Sequence, residues 1–124
     1  MSKLIVYLKP TWTTSRKVVT ILTKKGVEFE TVDYYKTPFT KTLFNDLLNK
    51  MNMEPSKLLR KKEKAYKDLD LKNKTFKEKQ LLNIMLKNPD LIERPIVAKG
   101  MKVILARPAE SVNEIIWIKH KLQN

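Results

Sequence analysis

The chain has 124 residues, enough for one buried core, and its 42% hydrophobic and 31% charged content is that of a folded rather than a disordered protein. It contains no cysteine, which excludes disulfides, thiolate metal sites and thiol chemistry of its own. Its formal net charge of +13 invites a polyanionic partner, nucleic acid before an acidic membrane surface.

The first element follows at once. Met1-Ser2-Lys3 leads into the apolar run Leu4-Ile5-Val6-Tyr7-Leu8, closed by Lys9. That run is too short for a signal-peptide core, and no later stretch could span a membrane, so a cytoplasmic protein with no membrane partner is expected. Residues 3–8 are β-branched and aromatic and predict a buried strand. From Thr13 to Lys25 the apolar positions Val18, Val19, Ile21 and Leu22 recur at helical spacing, with Gly26 as the stop. Val27 to Tyr35 alternates and predicts a second strand, which with the intervening helix makes a parallel βαβ unit.

Lys36-Thr37-Pro38 reads as a turn, and Thr40 as the cap of a helix carrying Leu43, Phe44, Leu47, Leu48 and Met51 on one face. Pro55-Ser56 punctuates, and a short Leu58-Leu59-Arg60 turn follows. Two further helical patterns come next, one around Ala65, Tyr66 and Leu69 and one from Thr75 to Lys87, ended by Asn88-Pro89. Ile96-Val97-Ala98 and Val103-Ile104-Leu105 predict an antiparallel hairpin. Pro108 starts a last helix with Val112, Ile115, Ile116 and Ile118 on its apolar face. The order βαβ, helical insert, ββα describes an α/β chain of thioredoxin-like fold with a mixed four-stranded sheet. It is expected as one domain over 1–124, with the helical insert at about 38–90.

Two features carry chemistry. The stretch Lys9-Pro10-Thr11-Trp12-Thr13-Thr14-Ser15-Arg16 joins a strand to a helix N-terminus. Unpaired N–H groups and the positive end of the helix dipole there favour an anion or a thiolate. A thiol enzyme would place its cysteine at such a turn, because the helix N-terminus lowers the thiol pKa. The position holds Trp12. The second feature is the arginine count: of 26 basic residues only Arg16, Arg60, Arg94 and Arg107 are arginine, the other 22 being lysine. Against that lysine bias, each arginine marks a place where an ammonium is a poor substitute for a planar guanidinium fork.

The chain resembles the glutaredoxin-dependent arsenate reductase family along nearly its whole length. That family's Asn-Pro-x-Cys-x-x-Ser-Arg turn is matched by Lys9-Pro10-Thr11-Trp12-Thr13-Thr14-Ser15-Arg16, and its Tyr-x-Lys-Thr-Pro segment by Tyr34-Tyr35-Lys36-Thr37-Pro38. Leu58-Leu59-Arg60 and Tyr66-Lys67-Asp68-Leu69 match blocks of the insert. Leu91-Ile92-Glu93-Arg94-Pro95-Ile96-Val97 and Arg107-Pro108 match the two most specific blocks. The resemblance implies that the residues at Arg60, Arg94 and Arg107 hold a small oxyanion such as arsenate, phosphate or sulfate. It also implies that Arg16 orients the loop and that Arg94-Pro95 is a cis peptide. Family enzymes attack arsenate with a cysteine thiolate and use glutathione and glutaredoxin to complete the reduction. Trp12 stands at the nucleophile position and Lys9 at the asparagine position, so anion binding carries over and thiol catalysis does not. No cofactor and no metal are expected.

Plainer readings stand beside these. Trp12 reads either as a plug or recognition side chain, or as drift in a retired enzyme with the indole over an apolar rim. The three arginines could make surface salt bridges of little worth. The run from Lys57 to Lys79 holds nine lysines and Arg60 against four acids, yet its aromatics stop at Tyr66 and Phe76 and it shows no nucleic-acid motif. A solvated face is therefore expected there, and specific nucleic-acid binding is not. His120, the single histidine, reads as a solvated residue of the last helix. An alternative function is a regulator of the Spx branch, which docks on RNA polymerase or another protein partner; retention of all three arginines argues against it.

Overall fold

Four of the five residues of strand β1 (Leu4–Leu8) are buried, as a strand with neighbours on both sides requires. In the computed structural model, which describes residues 3–61 and 63–116, β1 is parallel to β2 (Phe29–Asp33) and antiparallel to β3 (Ile96–Lys99). With β4 (Lys102–Leu105) the order of the four-stranded sheet is β2-β1-β3-β4. The register runs from Leu4↔Phe29 to Leu8↔Asp33 on one side of β1 and from Leu4↔Lys99 to Tyr7↔Ile96 on the other.

Helix α1 (Thr13–Lys24) links β1 to β2 and buries Ser15, Val18 and Leu22. It ends as its sequence dictates. Gly26 takes φ +68°, its N–H donates to the Thr23 carbonyl, and Val27 N–H donates to the Leu22 carbonyl. This glycine-closed end satisfies carbonyls that the helix leaves unpaired. It also keeps residues 27 and 28 out of the strand, so β2 begins two residues later than the alternation predicts. At its other end β2 stops at Asp33 because that residue nucleates a turn. Its carboxylate accepts from Tyr35 N–H at 3.0 Å and its carbonyl accepts from Thr37 N–H at 2.9 Å. Tyr34 and Tyr35 thus belong to the turn rather than to the strand.

The β3–β4 hairpin closes on Gly100-Met101, with Gly100 at φ +58° and Lys99 opposite Lys102. A two-residue turn of this kind needs positive φ, which glycine adopts without a steric penalty. After β4 the chain makes a 3-10 turn at Ala109–Ser111 and enters a helix whose described part is 112–116. Val112 and Ile115 are buried there, and Ile118 and His120 lie outside the described residues. Leu4, Val6, Leu8, Val18, Leu22, Val97, Ala106, Ala109, Val112 and Ile115 form one apolar core.

Contacts divide the chain into two units: the residues up to Thr37 together with those from Arg94 onward, and Pro38–Glu93. The second unit is helical. Thr40 caps α2 (Lys41–Met51) by accepting the Leu43 N–H at 3.1 Å, and Phe44, Leu47 and Leu48 are buried. A 3-10 turn (Pro55–Leu58), α3 (Lys64–Asp68), a second 3-10 turn (Leu71–Asn73), α4 (Glu78–Lys87) and a third (Pro89–Leu91) complete it. Helix α4 starts three residues later than its apolar pattern suggests. The Gln80 side chain reaches back to accept the Lys77 N–H at 2.9 Å, which fixes Lys77 as the cap.

Leu22 is wholly buried in the sheet unit's core. Leu22→Ala should cost about 3 kcal/mol of unfolding free energy in a urea titration, the range for a leucine deleted from a packed core. A loss below about 1 kcal/mol would mean that α1 is not packed as described.

Candidate functional site

The hairpin register brings two arginines together. Ile96 pairs with Leu105, so the chain leaves the two strands side by side and places Arg94 two residues before one and Arg107 two residues after the other. Ala106 N–H donates to the Pro95 carbonyl at 2.9 Å, extending the pairing, and Arg107 Nη1 donates to the Arg94 carbonyl at 3.3 Å. The Arg94-Pro95 peptide is cis, and so is Arg107-Pro108, a block for which the sequence predicts no cis bond. The two side chains differ in setting: Arg94 is only 5% exposed, whereas Arg107 is exposed.

The loop after β1 supplies the facing group. Trp12 N–H donates to the Lys9 carbonyl, and the Trp12 carbonyl accepts from Arg16 N–H, each at 3.0 Å, which fixes Trp12 as the N-cap of α1. The half-buried indole receives the Arg94 guanidinium over its ring. On another side its edge meets Tyr35, with ring centroids 5.6 Å apart and planes at 84°. Lys9 Nζ lies over the Tyr35 ring at 4.3 Å, and Tyr34 packs against Tyr35 at 5.2 Å. Cation, ring, ring and cation therefore follow one another from Lys9 through Tyr35 and Trp12 to Arg94. Each cation–ring contact uses the negative face of the aromatic quadrupole, and the T-shaped ring pair is a favoured aromatic geometry. The sequence marks Lys9 and Tyr35 only as members of family blocks and gives neither a contact with Trp12. Lys9 lies in the Lys9–Arg16 stretch and Tyr35 in the Tyr34-to-Pro38 block, and only the strand register shows that the second block reaches Trp12.

The start of α1 is open to an anion in electrostatic terms. Trp12 gives no side-chain cap, the first turn holds no acidic residue, and the amides of Thr13, Thr14 and Ser15 have no acceptor among the described residues. Thr11 and Thr13 are exposed and Thr14 is half-buried. Ser15 is fully buried, and its hydroxyl has no hydrogen-bond partner among the described residues. Arg16 is exposed, with no carboxylate within 4.0 Å among those residues. It lines a shallow groove with Leu8, Pro10, Ser15, Val19 and Thr31.

Arg60 belongs to the helical unit. A bridge between Leu59 and Ile92, in which Arg60 N–H donates to Leu91 O and Glu93 N–H to Leu58 O, sets Arg60 beside Glu93. Its guanidinium lies 2.7 Å from Glu63 and 3.6 Å from Glu93. Both carboxylates and the arginine are partly shielded from solvent, so the charge of Arg60 is locally balanced. Among the described residues no helix is long and apolar enough to cross a membrane, and no group of histidine, cysteine, aspartate or glutamate could hold a metal ion.

A mixed four-stranded sheet in the order β2-β1-β3-β4, an arginine beside a cis-proline and a loop opening on a helix N-terminus define a protein of thioredoxin-like fold. The ArsC family model matches residues 7–115, and the chain belongs to that family. It is 38% identical over 112 residues to the uncharacterised protein YfgD of Escherichia coli K12, covering 90% of this chain and 94% of that one. It is 36% identical over 116 residues to an arsenate reductase of Yersinia enterocolitica, covering 94% of this chain and 82% of the relative. The structure of an arsenate reductase from Vibrio cholerae matches with a TM-score of 0.85 at 29% identity, over 92% of this chain and 98% of that one.

If Arg94 stacks on Trp12, removing it must alter the indole's surroundings. With Trp117→Phe as background, so that one indole reports, Arg94→Met should change Trp12 emission and raise its quenching by acrylamide. It should cost about 1.4–2 kcal/mol of stability from the lost shielded cation–ring contact. Unchanged emission and quenching would contradict the stacking.

Proposed function

We propose that this member of the ArsC family binds a small oxyanion (arsenate, phosphate or sulfate) without reducing it. The observation that carries the reading is Trp12 at the N-cap of α1, in a chain with no cysteine. Reduction in the family's manner needs a sulfur that bonds to arsenic and is then released by glutathione. The residues present do not fit that chemistry. The hydroxyls of Thr11, Thr13, Thr14 and Ser15 are weak nucleophiles at their ordinary pKa and cannot cycle between redox states.

What supports anion binding is the rest of the site. The unpaired amides of the first turn of α1 point toward any anion placed there, and the helix dipole adds to their pull. Arg94 and Arg107 bring two guanidinium groups to the same end of the sheet, where planar forks suit a tetrahedral oxyanion better than ammonium groups do. A pocket of this kind, without a covalent step, holds its ligand by a few charge-assisted hydrogen bonds, which corresponds to affinities of about a millimolar.

Trp12→Cys tests the reading. The variant should gain arsenate reduction dependent on glutathione and glutaredoxin, while the unaltered protein shows none. Arsenate reduction by the unaltered protein would overturn the non-reducing half. A folded Trp12→Cys variant that neither binds arsenate nor reduces it would overturn the oxyanion half.

A further inference from the structure

We propose that the Trp12 indole competes with the oxyanion for Arg94, so that the site takes its ligand only after the indole has left the guanidinium. This rests on the oxyanion reading above and names the residue that sets its affinity. Three observations lead to it. The Arg94 guanidinium lies over the indole ring, and the residue is only 5% exposed. Arg107, its neighbour across the hairpin end, is exposed and so is within reach of solvent ions. The Trp12 backbone is pinned at both ends, by Lys9 and by Arg16, while its ring rests edge-on against Tyr35. The movable part is therefore the side chain, and its swing breaks no backbone hydrogen bond of the helix start.

The indole and an oxyanion want the same group for the same reason. Both offer negative charge to a shielded cation, the ring through its quadrupole and the anion through its full charge. Binding the anion at Arg94 then means giving up the cation–ring contact. The apparent affinity falls by the fraction of molecules in which the indole has already moved. A shielded cation–ring contact sets that fraction low enough to weaken binding about 10- to 30-fold. Trp12 in this view is a plug that a sufficiently concentrated anion can displace, and it has taken over the position from which a nucleophile would act.

Isothermal titration with inorganic phosphate and with arsenate, on the unaltered protein, Trp12→Ala and Trp12→Phe, tests the proposal. Thermal melts check that each variant is folded. Trp12→Ala should bind both anions about 10- to 30-fold more tightly than the unaltered protein, and Trp12→Phe, with its weaker cation–ring contact, should lie between. Should Trp12→Ala fail to fold, the order of Trp12→Phe and the unaltered protein decides. Binding in the variants equal to or weaker than in the unaltered protein overturns the plug and leaves the oxyanion site standing. Absence of binding in all three proteins, and in Trp12→Cys, overturns the oxyanion site itself.

Discussion

The register of β1 is the constraint on which the rest of the sheet unit depends. Because β1 runs parallel to β2 and antiparallel to β3, three chain segments meet where β1 ends. Leu8 lies opposite Asp33, so the turn carrying Tyr34 and Tyr35 starts beside the loop that carries Trp12. Tyr7 lies opposite Ile96, so Arg94 and Pro95 arrive at the same end, and the pairing of Ile96 with Leu105 adds Arg107. A shift of one residue in β1 would turn Leu4, Val6 and Leu8 away from the core cluster and carry the loop to the other face. Burial of those three side chains therefore sets the register that brings the site's segments together.

Setting the register by burial leaves the fold independent of the side chain at residue 12. The core of Leu4, Val6, Val18, Leu22, Val97 and Val112 does not involve residue 12. Neither does the glycine-closed end of α1 or the hairpin turn at Gly100. Replacing the side chain at the N-cap leaves all of these energies untouched, which is the physical content of the rule that a fold does not certify an activity.

Much of this was legible in the residues. The apolar runs at 3–8 and 96–98, the helical spacing of Val18 to Leu22 and the turn residues Gly26 and Gly100 placed the elements of the sheet unit. The misplaced boundaries were those decided by side-chain hydrogen bonds. Asp33 ended β2 early through its own carboxylate, and Gln80 started α4 late by reaching back to Lys77. The four arginines stood out by scarcity, but scarcity carries no geometry. It could not show that Arg94 is buried beside an indole, that Arg107 is exposed, or that Arg60 faces Glu63 and Glu93 in the helical unit. Those facts depend on strand register and on one isolated bridge, neither of which is local in sequence.

The electrostatics of the loop give Trp12 a physical reason. A guanidinium as buried as Arg94 loses most of its hydration and is stable only beside groups that replace it. A thiolate at the N-cap of α1 would supply a full countercharge. With Trp12 there, α1 has no acidic residue in its first turn, while Lys9, Arg94 and Arg107 all carry positive charge in the same unit. The indole face, together with Tyr35 under Lys9, gives two of these cations an aromatic surface, where a small aliphatic side chain would give none. An aromatic residue at the N-cap thus offers a neutral, electron-rich face to the cation beside it.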